Sequence, residues 1–374
     1  MNFNLTKEQE MIQKSAVDFA TKFLKPIAYD TDRTAEYPAK EIAAMAEQDY
    51  LGVAIPEEFG GMAADSLSIA LMIEAFGRAN GAAATIVASH TVTAAGTIAK
   101  YGSEELKKNY LPAMAKGEKI GGYAFAEPGA ALASGEDKVV AKKDDGEYLL
   151  NGKKTFVYNG DVADVYIVIA QVNEEAEQKG VAVFLVDADN VKVLRKVDKL
   201  GLRAFPTAEL EFKDSKGMLI GTEEKGVEIM KNIQARTDVA FAAMALGVSQ
   251  AALDESKEHA KTRVQFGSPI GRLQAVQWML ADIATNIHMM KLAIYRAAIA
   301  IDEDDNYINQ VALMKQYVAK AGPEIGMEAV QIHGGIGYCR ESNIERYFRD
   351  IRGAYNFENA NEYPQRIIAA SLLN

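Results

Sequence analysis

VYIVIAQ at positions 165–171 and VAVFLV at 181–186 decide how this chain is built. Both are short runs rich in β-branched and aromatic residues, the texture of strands rather than of helices. AELEF at 208–212 is a third, and Asp145-Gly146 and Asn151-Gly152 are hairpin turn signals in the stretch ahead of them. A middle antiparallel β domain is therefore expected over 121–224. On its N-terminal side the pattern is helical. Thr6 and Gln9 form a capping box, Ile12, Ala16, Phe19 and Phe23 follow at helical spacing, and Pro26 closes the run. Further helical runs follow, broken by the Pro- and Gly-rich LGVAIPEEFGG at 51–61, so 1–120 reads as an all-α domain. After Gly226 the stretches 229–260, 273–301 and 308–332 are each long enough for a bundle helix, which predicts a C-terminal four-helix bundle over 225–374. The fold class is α+β with segregated blocks, and a parallel dinucleotide-binding sheet is not expected.

The 374 residues are 49% hydrophobic and 25% charged, an ordinary globular composition with room for several domains. A formal charge of −11 argues against a general binder of nucleic acid or of anionic membranes. Cys339 is the one cysteine, so there is no internal disulfide, and His90, His259, His288 and His333 lack metal-ligand spacing, so no metal is expected. The N-terminus has no signal-peptide run, and no uninterrupted apolar span of about 20 residues is evident. A cytoplasmic enzyme is the expectation, although a processed organellar protein would look the same.

Four places suggest chemistry. Glu358 sits in a break between two helical segments, with aromatic residues just before it in AYNFENA. A carboxylate in apolar surroundings loses hydration, its pKa rises, and it can remove a proton from a weak carbon acid; an exposed loop glutamate is the plainer alternative. Arg263 and Phe266 in KTRVQFGSPIG offer a bidentate phosphate contact and a flat face, although from the residues alone an exposed Arg and a core Phe is the better reading. The turn YAFAEPGA at 123–130 presents backbone amides beside Phe125. Gly334-Gly335 is either a helix cap or a point of close backbone approach.

Taken in order, GVAIPEEFGG, YGSEELKKNYLPAMAKGE, the AEPGA turn, DKLGLRAFPTAEL, TRVQFGSPIGRLQAVQ, QIHGGIGY and ERYFRDIR resemble the acyl-CoA dehydrogenase family over essentially the whole chain. The resemblance implies the same three-domain fold, FAD as cofactor, and a homotetramer or homodimer. It also implies an acyl-CoA substrate, with electrons passed to an electron-transferring flavoprotein. By position it makes Glu358 the base that takes the α-proton of the thioester while the β-hydrogen leaves as hydride. It places Phe125, Ala126, Phe156, Tyr158, Ala360 and Glu362 around the flavin. Arg263 and Gln265, with Phe266 beside them, fall on the FAD-diphosphate segment that reaches a neighbouring subunit's cofactor, and Gln274, Gln331, Gly334 and Gly335 fall on the other FAD contacts. Leu132, Ser134 and Asp238 fall near the substrate.

Several of these positions depart from the family pattern. Ala126 stands for the usual Thr, Ala131-Leu132-Ala133 for Gly-Ser-Asp, Phe156-Val157-Tyr158 for Trp-Ile-Thr, Glu358-Asn359-Ala360 for Glu-Gly-Thr, and Asp238 for an arginine. A working flavoenzyme with an unusual substrate or direction is the favoured reading. An enoyl-CoA reductase running the chemistry in reverse, or a non-catalytic paralogue serving as a scaffold, are the alternatives. Thr91, Thr93 and 94–96 bring no arginine to the expected acyl pocket. A short-chain, branched or alicyclic acyl-CoA is therefore expected over a dicarboxylic one.

Overall fold

The computed structural model describes residues 4–128, 138–172, 180–304, 306–354 and 362–373. The N-terminal helices are α1 (Lys7–Phe19), α2 (Ala28–Thr34), α3 (Ala39–Ala46), α4 (Ser66–Ala79), α5 (Gly81–Ala88), α6 (Gly96–Tyr101) and α7 (Glu104–Ala115). The capping box at α1 forms as its sequence predicts: Thr6 Oγ1 accepts from the Gln9 N–H at 3.2 Å and Gln9 Oε1 from the Thr6 N–H at 2.9 Å. A π-helical stretch, Ser89–Ala95, joins α5 to α6 in one continuous helix. That helix, 81–101, corrects the expectation that no apolar span of membrane length exists: it has 21 residues and sufficient hydropathy. Its apolar faces are buried inside the protein, and every residue of α5 is buried, so it is a core helix here.

Seven strands follow: β1 (Gly121–Ala124), β2 (Val140–Asp144), β3 (Glu147–Tyr158), β4 (Val165–Val172), β5 (Gly180–Asp187), β6 (Val191–Lys196) and β7 (Thr207–Ile220). Six pairings are antiparallel as expected. Two are parallel: β1 runs beside the first half of β4, and β2 meets it again at Val140 and Gln171. The short strands β1 and β2 thus share one slot between β3 and β4, which closes the sheet into a barrel and removes most of its edges. The remaining edge strand, β6, carries exposed Lys192, Arg195 and Lys196, charges that discourage pairing with another sheet.

The C-terminal block is α8 (Gly226–Thr262), α9 (Gln274–Glu303), α10 (Tyr307–His333), α11 (Asn343–Ala354) and α12 (Glu362–Leu373). The 37 residues of α8 make it about 55 Å long, enough to touch α4, α5, α9, α10, α11 and the sheet. It meets α4 at nearly backbone contact. A Cβ on Gly77 would lie 2.5 Å from the Met244 carbonyl oxygen, and one on Gly247 would lie 2.1 Å from that of Glu74. One continuous core therefore runs from the first helical block through the inner face of the sheet into the bundle.

Candidate functional site

Between the sheet and α8, the segment leaving β1 is clamped by its neighbours. The Lys154 ammonium on β3 donates to the Phe125 carbonyl at 2.8 Å and to Glu127 Oε1 at 2.9 Å. The Val139 N–H also donates to Glu127 Oε1, at 3.0 Å, and the Thr155 N–H to the Ala126 carbonyl, at 2.9 Å. Lys154 is 1% exposed, and burial pulls its pKa down against the pull of Glu127. With its carbonyls held to β3, residues 125–127 cannot rotate. Among the described residues nothing accepts from the Ala126 N–H.

A β-bulge between Lys154 and Val157 turns the next side chain the other way. Phe156 has φ +49°, in the left-handed region, and its side chain is 54% exposed. An aromatic ring left open on a strained backbone, next to a fixed peptide edge, is a ready wall for a flat ligand. The structure thus brings Phe125, Ala126 and Phe156 together. Tyr158 goes elsewhere: it is buried, with ring centroids 5.5 Å from Phe205 and 5.4 Å from Phe241, and ties the sheet to α8. Glu358, Ala360, Leu132 and Ser134 lie outside the described residues, and Glu362 is the exposed first residue of α12.

A second group forms an open cleft of about 810 Å³ at the ends of α8 and α10, where Arg263 and Gly335 meet His259 and His333. The imidazoles stack at 4.3 Å, and burial lowers the pKa of each. Gly334 caps α10 with φ +61°, and a Cβ at Gly334 or Gly335 would meet nothing within 4 Å, so the glycine pair is both cap and open shelf. Gln265 and Phe266 belong to a small hairpin beside it, with Phe266 at the tip and 90% exposed. Gln331 is exposed at the end of α10, and Gln274 is exposed at the start of α9. Among the described residues no hydrogen bond or ring contact joins this cleft to the 125–158 wall.

Asp238 forms a closed pair with Lys315, at 2.6 Å, with side chains 11% and 7% exposed. Burial raises the Asp238 pKa while Lys315 opposes it, and Asp238 in turn helps raise Tyr363 on α12, next to the segment that carries Glu358. The helical blocks meet nearby through Thr93 and Thr237, whose hydroxyls are 2.9 Å apart and fully buried. One turn on, Arg236 from α8 donates to the Gly96 carbonyl at 3.1 Å. This corrects the expectation that no arginine enters the 91–96 neighbourhood, because the cation comes from a helix remote in sequence. His90, also on the 81–101 helix, accepts from the Gly121 N–H at Nδ1 and so carries its proton on Nε2, 3.1 Å from the Met114 carbonyl. Of these unanticipated residues only Lys154 carried a signal: it is four positions from buried Leu150 on a strand, hence on the core face.

The chain matches the acyl-CoA dehydrogenase N-terminal domain over 6–118, the middle domain over 122–215 and the C-terminal domain over 224–373. It is 34% identical to a Clostridium sporogenes protein named 3-(aryl)acrylate reductase, over 98% of this chain and 99% of that one. It is 33% identical to the acryloyl-CoA reductase (NADH) of Anaerotignum propionicum, over 100% and 96%. The structure of butyryl-CoA dehydrogenase from Megasphaera elsdenii superposes with a TM-score of 0.95 at 31% identity, covering 100% of both chains.

Proposed function

Because the chain belongs to the acyl-CoA dehydrogenase family, flavoprotein oxidoreductases acting on CH–CH bonds, we propose that it interconverts a short acyl-CoA thioester and its α,β-unsaturated form. Glu358 is the residue that takes the proton from Cα or returns it. The observation that carries this reading is the pairing of the locked 125–127 edge with the open Phe156 ring. FAD is the cofactor, and these residues fit it: Phe125 and Phe156 offer apolar faces to a flat ring, and the Ala126 N–H offers a donor at its edge. When bound, FAD supplies hydride transfer at Cβ. Tyr158 supports the wall from behind, and the remaining contacts fall to Ala360 and Glu362, and to Arg263, Gln265, Phe266, Gln274, Gln331, Gly334 and Gly335. Of these, Arg263 and Gln265, with Phe266 beside them, serve the cofactor of a second copy.

The chain's own residues set the conditions for the proton step. Tyr158, Phe205 and Phe241 pack behind the wall and exclude water from that side of it. Leu132 and Ser134 would contact the thioester. The Asp238–Lys315 pair acts as a positioning element between α8 and α10, because an ion-paired carboxylate is a poor base. The Thr93–Thr237 and Arg236–Gly96 contacts close the space between the helical blocks, which supports a short, branched or alicyclic acyl group.

The names of the two relatives support the reductive direction as a second reading, with the same base delivering the proton to Cα. Electrons then come from, or in the oxidative direction go to, an electron-transferring flavoprotein. Exposed Trp278, Phe266 and Tyr338 support assembly as a homotetramer. The cytoplasm, where the single exposed thiol of Cys339 stays reduced, is the proposed compartment. The test is an anaerobic panel of thioesters of graded chain length, including branched and dicarboxylic members. C4 and C5 chains should bleach the oxidised flavin band, and the matching enoyl thioesters should restore it. Bleaching by long chains alone would overturn the substrate reading.

A further inference from the structure

A further cleft, of about 100 Å³, between α2, the loop after β6 and α11 is rich in arginine. Arg33, Arg203, Arg340, Arg346 and Arg349 line it, in a chain of formal charge −11. Two carboxylates share the lining, Asp32 and Glu345, and Arg349 engages both. It donates to Asp32 at 2.9 and 2.6 Å and to Glu345 at 2.6 and 2.9 Å. The other guanidiniums find weaker partners. Arg33 donates to the Tyr29 hydroxyl at 2.8 Å. Arg203 donates to the Asp32 backbone carbonyl at 2.9 Å and lies 3.9 Å from Asp198, whose side chain is 92% exposed. Arg340 stands exposed at the rim.

Arg346 is 7% exposed, and its Nη1 is buried with no acceptor among the described residues. A buried guanidinium nitrogen without an acceptor is costly, and such groups are normally satisfied. Asp350, four residues on, already accepts from the Leu202 N–H, and burial pushes its pKa up to about 6. Arg346 also lies in the first turn of α11, with Ser342 just ahead, so the positive end of that helix points into the same space.

We propose that this cleft is a phosphate-binding site. Guanidinium forks suit tetrahedral oxyanions, and a cleft of about 100 Å³ has room for one phosphate group. The phosphate is either free or the terminal monoester of a larger ligand whose body stays outside. The experiment uses the flavin-loaded protein at fixed ionic strength in chloride, titrated with inorganic phosphate and, separately, with adenosine 3′,5′-bisphosphate. Binding is followed by ³¹P line broadening and by the melting temperature. Saturable binding that weakens about tenfold in Arg340→Gln and in Arg203→Gln is expected, the loss that follows from removing one charged hydrogen bond. Arg346→Gln should weaken it further, and the two exposed-side variants keep the test valid if that variant fails to fold. Binding of phosphate alone supports a free-ion site, and binding of both in competition supports a phosphomonoester. No saturable binding of either, or binding unchanged in the variants, overturns the proposal.

Discussion

Removing the Lys154 ammonium would leave Glu127, among the described residues, with only the Val139 N–H as partner, in a place where the side chain is 17% exposed. Breaking one side of such a pair costs about 3 kcal/mol, most of it the penalty of an uncompensated charge. Lys154→Met should therefore lower the unfolding midpoint and, because it frees the Phe125 carbonyl, weaken flavin retention on a desalting column. Adding Glu127→Gln should recover much of the stability and none of the flavin affinity. Unimpaired flavin retention in Lys154→Met would remove the clamp from the account. Little of this is legible in one sequence: the period of a strand puts Lys154 inside, yet nothing says that it meets Glu127, 27 positions away. Glu358 is the reverse case. Its local context suggests a buried base, and the ordered family segments give it a role that no contact in the described residues supplies.

Helices and strands carry the next scale, where the sequence was most readable. The capping box at Thr6 and Gln9 and the strands around 165–186 form where their patterns put them, because both depend on neighbours within a few residues. The parallel contacts of β1 and β2 with β4, and the closing of the barrel, depend on which distant strands meet and leave no local trace. The 81–101 helix shows the same limit, since only its packing says that it belongs to a core. That helix makes two predictions. His90 is fully buried and its pKa is lowered by burial to about 4, against about 6.5 when unfolded. Between those values the native state binds fewer protons than the unfolded chain. Stability is thus fully present above pH 6.5 and falls as the pH drops toward 4, by about 3 kcal/mol at most. Urea midpoints at pH 7.5 and 5.0 should differ more in the wild type than in His90→Gln; equal differences would contradict this. Thr237→Ala removes the Thr93 contact at a cost of about 1 kcal/mol. It should raise kcat/KM for a six-carbon over a four-carbon thioester, and an unchanged ratio would place the acyl chain elsewhere.

At the scale of the whole molecule, the proposed cofactor site draws on two groups of residues, part of the second serving another copy's flavin, so assembly and flavin binding should be coupled. Phe266, Trp278 and Tyr338 are 90%, 61% and 86% exposed, aromatic surface that assembly would cover. Trp278→Arg should shift the mass measured by light scattering to a smaller species and release flavin on dilution; a variant of unchanged mass that keeps its flavin would contradict the coupling. The central claim, that Glu358 moves the proton at Cα in a flavin site built on the 125–158 wall, is tested most directly by anaerobic addition of butyryl-CoA to the yellow protein. Wild type should lose its oxidised flavin band within seconds. Glu358→Gln should stay yellow, with the bleaching rate reduced by several orders of magnitude. Bleaching of Glu358→Gln at the wild-type rate would contradict the account.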